Sequence, residues 1–355
     1  MKAYKAAKEY GFVNTRVRGQ LARSLKIADY ERLLRFKDYK KFIGALRGTR
    51  YGPVISAATP AEVPSPEELA LIFAVDYADV SHRLTHSLSG KVRRFAEAYT
   101  LVFLTEALKT VIRGKHVGLE KGEILRFVVP TSPGQSRMFA RLLEKENVEK
   151  LIEDIPILDL KIALLTKLPA YEEFNSAVPL EIALEEWYLR KVMDSLEEFS
   201  NEDEQRIIQL LEARVDLRNA IMMLRALLLG FNRRMINASL VRFTEDSQAF
   251  GDSIRQLDSW SGVLMQLRKT IHTEMAARLR RIYAETQDLA EIELAVKDYL
   301  AQQIKKQLTG FPFHLGTVIG FFNLKYLEMR NLISIAVGIE KGEPASIIRQ
   351  MITIW

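Results

Sequence analysis

Apolar residues along this chain recur mainly three and four positions apart, the spacing of one face of an α-helix. Leu21, Leu25 and Ala28 show this spacing near the start, and Leu224 and Leu228 show it further along the chain. No alternation of apolar and polar positions continues for more than about five residues, so nothing in the pattern predicts a β-strand. The predicted fold class is therefore all-α.

Glycine and proline mark the connections between the predicted helices. Within the first connection, Ser65 stands before Pro66 and two glutamates. A serine cap, a proline in the first turn and acids at the positive end of the helix dipole together predict a helix that begins at Pro66. The breaker-rich segments are residues 48–66, 130–134, 169–179 and 310–312.

Two short motifs recur three times in the same order, which indicates an internal repeat. The first motif begins at Glu68, Glu181 and Glu293, so its copies are almost evenly spaced. The second motif pairs an acid with a polar residue three positions later, and its copies have nearly the same spacing as those of the first. These copies are Glu106 with Lys109, Asp216 with Asn219, and Glu328 with Asn331.

A third match extends the repeat to twice its period. Residues 118–123 nearly duplicate residues 338–343, which lie 220 positions later and two positions out of register with the second motif. A unit of this length is a small domain in its own right. We therefore predict three tandem, similar helical lobes, residues 1–131, 132–245 and 246–355. Three such lobes can close around a pseudo-threefold axis with a central depression.

Charge is distributed unevenly along the 355 residues. The net charge is +6, but the first 50 residues hold 14 Lys or Arg against four acids and so carry +10, which leaves −4 for the rest. Localised basicity of this kind indicates a contact surface. Binding to nucleic acid through phosphate contacts is one alternative, and a solvated helix face without a partner is another.

The sequence offers little catalytic chemistry. Cysteine is absent, which excludes disulfides, thiolate metal sites and a cysteine nucleophile. Neither a phosphate-binding loop nor a dinucleotide fingerprint occurs. His82 and His86 form a helical i, i+4 pair, but no glutamate stands between them as a zinc hydrolase would require. We therefore predict no catalytic residue, no metal site and no cofactor.

The sequence also predicts neither a secretory signal nor a membrane-spanning segment. Arg and Glu residues interrupt the start of the chain, so it contains no apolar core of a signal peptide. The longest uncharged stretch, residues 307–324, is marginal in length and too polar for a spanning helix. A buried loop and helix is the better interpretation of this stretch.

Several segments at the two ends of the chain resemble the C subunit family of archaeal and bacterial A/V-type rotary ATPases, which is related to the d subunit of the vacuolar proton pump. The likeness spans nearly the whole chain, and its specificity comes from the joint order of short motifs. The segments are residues 10–18, 29–34, 49–51 and 327–333, followed by Gly338, Ile348 and Arg349.

The resemblance implies a fold and a function. It implies a funnel of three helical lobes in the central stalk, peripheral to the membrane at its cytoplasmic face, between the rotating shaft subunits and the proteolipid ring. Such a subunit performs no chemistry and transmits torque between ATP chemistry and the transport of protons or sodium. It implies no cofactor, no small-molecule substrate and no nucleic acid. The rival hypotheses are a basic all-helical nucleic-acid-binding or scaffold protein and, less favoured, an all-helical enzyme.

The resemblance also selects candidate contact residues. Asn14, Arg16 and Arg18 are the family-matching positions in the basic segment, and we expect them to contact a partner. A second candidate set follows the repeated acid: Arg218, Asn219, Arg330 and Asn331. This set could form equivalent partner contacts around the axis, or it could pair helices within the chain.

Overall fold

The computed structural model describes residues 2–60, 62–267 and 273–354. All regular secondary structure in these ranges is α-helical, in nineteen helices, which confirms the predicted fold class. Helix α1 (Lys2–Leu21) comes first. The eighteen helices after it fall into three series of six, and the order of helix lengths is similar in each series.

In each series two short helices and a third of variable length precede two long helices and a short one. Series 1 comprises α2 (Ile27–Leu33), α3 (Tyr39–Arg47), α4 (Gly52–Ala58), α5 (Pro66–Ser87), α6 (Gly90–His116) and α7 (Lys121–Leu125). Series 2 comprises α8 (Pro133–Leu142), α9 (Val148–Glu153), α10 (Leu158–Phe174), α11 (Val178–Asp194), α12 (Asn201–Leu229) and α13 (Arg233–Ser239). Series 3 comprises α14 (Glu245–Ile254), α15 (Trp260–Leu267), α16 (Thr273–Thr286), α17 (Leu289–Lys306), α18 (Gly316–Glu340) and α19 (Ala345–Met351).

Helix starts follow the capping chemistry of the sequence. The predicted start of α5 is confirmed, because the Ser65 hydroxyl accepts a hydrogen bond from the Glu68 backbone N–H at 3.2 Å and Pro66 is the first helical residue. Ser132 and Thr244 cap the first helices of series 2 and 3 in the same way, and these two residues lie 112 positions apart. Equivalent capping at equivalent positions gives series 2 and series 3 a common register.

Glycines that follow the long fifth helices fix that register. Gly118, Gly230 and Gly342 have φ angles of 77°, 67° and 73°, and consecutive members lie 112 positions apart. Glycine adopts this left-handed conformation without the steric cost that a Cβ atom imposes. The counterpart of Gly118 is therefore Gly342, so the sequence alignment of residues 118–123 with residues 338–343 is wrong by four positions.

The same register corrects the second sequence motif. With an interval of 112, the counterpart of Asn219 and Asn331 in series 1 is Ala107, and Lys109 lies two positions beyond it. Lys109 aligns with the asparagines in the sequence only because each is a polar residue that follows an acid by three. Series 1 thus has alanine where the other two series have the asparagine.

The chain divides into two compact units, residues 1–93 with 301–355, and residues 94–300. In the first unit α18 packs against α1, α3, α5 and α19. Its interior holds large aromatic side chains that are at most 2% exposed, because these helices turn their apolar faces inward. These residues are Tyr30, Phe42, Tyr51, Phe73, Phe321 and Phe322.

In the second unit α12 packs against α13, α14 and α15, and α10 packs against α11. One core cluster runs from Leu217 to Val296 and includes residues of α12, α14, α15, α16 and α17. Leu224, Ile254 and Leu264 are fully buried within it. Apolar burial of this extent is the main source of the unit's stability.

Each long fifth helix is joined to the fourth helix of another series. Arg113 of α6 pairs with Glu181 of α11, and Arg225 of α12 pairs with Glu293 of α17 at 2.7 Å, 112 positions later in both members. Tyr77 of α5 donates a hydrogen bond to a backbone carbonyl of α18 at 2.9 Å. Series 1 thus pairs with series 2, series 2 with series 3, and series 3 with series 1. The lobe boundaries at 131 and 245 and the funnel remain predictions.

Candidate functional site

Asn14, Arg16 and Arg18 lie in the second half of α1. Asn14 is buried, and its Oδ1 accepts a hydrogen bond from the Arg18 Nε at 3.1 Å. Arg16 is exposed, with its guanidinium 5.2 Å from the centre of the Phe12 ring. Asn14 therefore orients Arg18, and the two arginines are the members of this set that a partner can reach.

The sequence of α1 is amphipathic, so one face of the helix is buried and the opposite face is exposed. Tyr10, Val13 and Val17 form its inner stripe and are at most 2% exposed. The opposite face carries cations and aromatic rings that reach into solvent, a composition that suits a polar partner surface. Its exposed members include Tyr4, Lys8, Phe12 and Arg16.

Arg218, in the second candidate set, pairs inside its own unit. Its Nε lies 3.1 Å from Oε2 of Glu185 in α11, and the same oxygen lies 3.6 Å from Lys109 Nζ. Burial raises the pKa of Glu185, but the positive charges of Arg218, Lys109 and Arg214 outweigh it and hold that pKa below its ordinary value. We therefore assign Arg218 to helix pairing within the chain.

Asn219 and Asn331 are fully buried and bind the backbone of their own chain. Asn219 Nδ2 donates to the carbonyl of Val241 at 2.9 Å, and the Val241 N–H donates back to Oδ1 at 2.9 Å. Asn331 exchanges the same two hydrogen bonds with Thr353, at 2.6 and 3.0 Å. Both partners lie 22 residues downstream. Of the two roles that the sequence left open for these asparagines, these bonds favour the one within the chain: each fastens the segment that follows the sixth helix of its series.

Arg330 differs from the rest of the second set because its side chain is exposed on α18. The seven candidate residues therefore separate by burial and bonding. Arg16, Arg18 and Arg330, all in the first unit, face solvent, whereas Asn14, Arg218, Asn219 and Asn331 bond within the chain.

A buried charge cluster around Glu328 was not predicted from the sequence. Glu328 lies on α18 and is 0% exposed. Its Oε1 accepts hydrogen bonds from the Tyr51 hydroxyl at 2.6 Å and from Lys325 Nζ at 2.5 Å. Its Oε2 accepts from the Leu25 backbone N–H at 2.8 Å, and Arg50 Nε lies 3.1 Å from Oε1. One carboxylate thereby joins α18 to two segments near the start of the chain.

A second layer of contacts orients the cations of this cluster. Arg50 also pairs with Asp76 of α5 at 3.1 Å, and Lys325 Nζ donates to the Ser24 hydroxyl at 3.2 Å. Burial raises the pKa of Glu328, yet Lys325, Tyr51 and Arg50 outweigh burial and lower it. The pKa of Lys325 is lowered, chiefly by burial. A charge removed from water in this way is stable only while its partners stay in place.

His82 and His86 lie side by side on the exposed face of α5. Their ring centres are 3.8 Å apart, and His86 Nδ1 lies 3.1 Å from the His82 carbonyl oxygen. Within residues 2–60, 62–267 and 273–354, no three His, Asp or Glu side chains converge on a possible ion. In the part of the chain that the structure describes, no helix is both long and apolar enough to cross a membrane.

A series of six helices that occurs three times, with buried side-chain contacts between helices and exposed arginines on the first helix, defines an all-helical repeat protein. The sequence matches the family described as ATP synthase (C/AC39) subunit over residues 13–351, and the chain belongs to that family. The chain is accordingly a structural subunit of an ATP synthase complex and is not itself catalytic. The family resemblance seen in the sequence is confirmed.

Several curated relatives share one description, the C subunit of an A-type ATP synthase. The protein from Methanocaldococcus jannaschii is 24% identical over 351 residues, which cover 97% of this chain and 86% of that protein. The protein from Methanothermobacter thermautotrophicus is 23% identical, and the match covers 97% of this chain and 87% of that protein. The Haloferax volcanii protein is 23% identical, with 92% and 89% covered.

Proposed function

We propose that this chain is the non-catalytic central-stalk subunit of an A/V-type rotary ATPase, which links the rotating shaft to the proteolipid ring and transmits torque. The relatives described as C subunits of A-type ATP synthases support the type of complex. The observation that supports torque transmission is the Glu328 cluster, because it ties α18 rigidly to segments 277 and 303 residues away in sequence.

Torque transmission requires joints that do not slip. Series 1 and 2, and series 2 and 3, are consecutive in the chain, so the peptide backbone limits their separation. Series 3 and series 1 have no such continuity, and their contact depends on side chains. Three hydrogen bonds, from Leu25, Arg50 and Tyr51 to one buried carboxylate, supply a stiff connection there, since each bond constrains the geometry of the others.

The pairing of long helices repeats between successive series. The Arg113–Glu181 and Arg225–Glu293 pairs occur at equivalent positions of successive series. Tyr77 and α18 supply the pairing of series 3 with series 1. We propose the funnel with a pseudo-threefold axis from the family resemblance and from the threefold repeat of the sequence.

Exposed cations supply the docking contact in this proposal. Arg16, Arg18 and Arg330 face solvent in the first unit, and we assign them to the polar loops of the proteolipid ring. The opposite face of the funnel receives the shaft. The subunit then lies peripherally on the cytoplasmic side of the membrane, held there by its partners.

The test is co-purification from detergent-solubilised membranes. The tagged full-length subunit should bring with it a proteolipid ring and an ATP-hydrolysing head. A variant with Arg16→Glu and Arg18→Glu should lose the ring, because charge reversal replaces attraction by repulsion at the contact. A variant with Arg278→Glu and Arg281→Glu, which reverses two exposed arginines of α16, should retain it. Retention of the ring by the α1 variant would contradict the assigned contact.

A further inference from the structure

The turn between α2 and α3 carries a dense group of exposed cations. Arg35, Lys37, Lys40 and Lys41 lie close together in sequence, and all four side chains are exposed. The one acid among them, Asp38, caps α3 by accepting a hydrogen bond from the Lys41 backbone N–H at 2.8 Å. We call residues 35–41 the basic turn.

The four cations do not stabilise the fold through ion pairs. In the described ranges of the chain none of them pairs with an acid. Glu340, Glu67 and Glu68 add to the effect of burial in raising the pKa of Tyr39, but they do not pair with these cations. Lys40 and Lys41 also stand in the first turn of α3, where the positive end of the helix dipole disfavours them. The placement therefore costs stability.

The corresponding turns of series 2 and 3 serve as an internal comparison. The turn between α8 and α9 contains Lys145 and ends near Lys150, and each lysine has an acidic partner, at 3.5 and 3.0 Å. The turn between α14 and α15 contains one cation, Arg255, which pairs with an acid at 3.3 Å. The corresponding turns of series 2 and series 3 thus fold without such a group of unpaired cations. The cations of the basic turn are therefore not a requirement of the fold.

We infer that the basic turn is a docking surface for the anionic headgroups of phospholipids beside the ring. Lysines are compact charges on flexible stems and do not impose a fixed geometry, which suits a layer of mobile anions better than one structured carboxylate. Each cation near an anionic membrane strengthens binding about fivefold. Four cations less the charge of Asp38 then give a gain on the order of a hundredfold. This inference rests on the proposed function only in placing the subunit beside a membrane.

The experiment is co-sedimentation of the purified full-length subunit with vesicles at low ionic strength. Vesicles of phosphatidylcholine alone are compared with vesicles of equal parts phosphatidylcholine and phosphatidylglycerol. The test variant carries Arg35→Gln, Lys37→Gln, Lys40→Gln and Lys41→Gln. The control variant also loses four positive charges, through Lys145→Gln, Lys150→Gln, Arg278→Gln and Arg281→Gln. Thermal unfolding of each protein verifies that it is folded.

We expect the natural chain to bind the mixed vesicles, and to bind them less as salt is added. The test variant loses all four cations and should bind roughly 600-fold more weakly, and the control variant should bind as the natural chain does. Failure of the natural chain to bind, or an equal loss in both variants, would overturn the inference. So would a test variant that binds the mixed vesicles as tightly as the natural chain does. None of these results depends on co-purification with the ring, so the proposed function is tested separately.

Discussion

The Tyr51 hydroxyl donates a 2.6 Å hydrogen bond to the Glu328 carboxylate across 277 residues of sequence. Both side chains are almost inaccessible to water, and burial together with Glu328 raises the pKa of Tyr51. Tyr51 therefore remains protonated and keeps donating at neutral pH. The bond joins the first series of helices to the last.

We expect Glu328→Gln to destabilise the protein by about 3 to 5 kcal/mol, because it leaves the buried Lys325 ammonium without its counter-charge. The measurement is the free energy of unfolding in denaturant. Lys325→Met on the same background should restore part of the loss, since it removes the unpaired charge. Strictly additive effects of the two substitutions would show that the two side chains do not act as a pair.

Asp216 gives a pH-dependent prediction. Burial raises its pKa to about 6, with Glu212 and Asp246 adding to the effect and the hydrogen bond from the Ser247 hydroxyl opposing it. The unfolded chain releases this proton near pH 3.8, so the folded state holds more protons between these values. Stability therefore falls as pH rises from about 4 to about 6, by up to about 3 kcal/mol.

Asp216→Asn removes this titration and keeps an acceptor for the Ser247 hydroxyl. Relative to the natural chain, the variant should gain stability as pH rises from about 4 to about 6 and keep that gain above it. Unfolding free energies measured across this range for both proteins test the expectation. Asp79→Asn, at an exposed position of α5, is the control and should leave the profile unchanged. Parallel profiles for the Asp216 variant and the natural chain would refute the assigned titration.

Replacing either of the two buried asparagines, Asn219 or Asn331, should lower the free energy of unfolding by a similar amount. Asn331→Leu removes the side chain that bonds the N–H and C=O of Thr353, and Asn219→Leu does the same at Val241. Each should cost about 1 to 3 kcal/mol for every buried backbone group that water cannot reach. Asn237→Leu, at an exposed position of α13, should change the unfolding free energy far less. A loss at Asn237 equal to the other two would mean that burial of the amide is not the cause.

Local features of the sequence predicted the helices, the start of α5 and the approximate period of the repeat, because periodicity and capping depend on neighbours a few positions apart. The sequence located Glu328 and Asn331 as members of a repeated motif but did not reveal their roles. The partners of Glu328 are up to 303 residues away, and no short-range pattern identifies them. Polarity alone also aligned Lys109 with the asparagines, whereas backbone conformation at Gly118 and Gly342 set the true register.

The last prediction concerns Gly114 and Gly338, which occupy equivalent positions in series 1 and series 3. A Cβ atom at Gly338 would lie 2.6 Å from Ile348 Cγ1, and one at Gly114 would lie 2.5 Å from the same atom of Ile124. Gly338→Ala should therefore lower the free energy of unfolding by about 1 to 3 kcal/mol, because the α18–α19 contact must open to admit a methyl group.

Gly122→Ala in α7 is the matched control, since a Cβ there meets nothing within 4 Å and the helical position favours alanine. It should be neutral or stabilise by up to about 1 kcal/mol. Adding Ile348→Ala to Gly338→Ala should make the cost of the new methyl group disappear, because the clashing atom is gone. If Gly338→Ala is as harmless as Gly122→Ala, the close approach of α18 and α19 is not a constraint on the sequence.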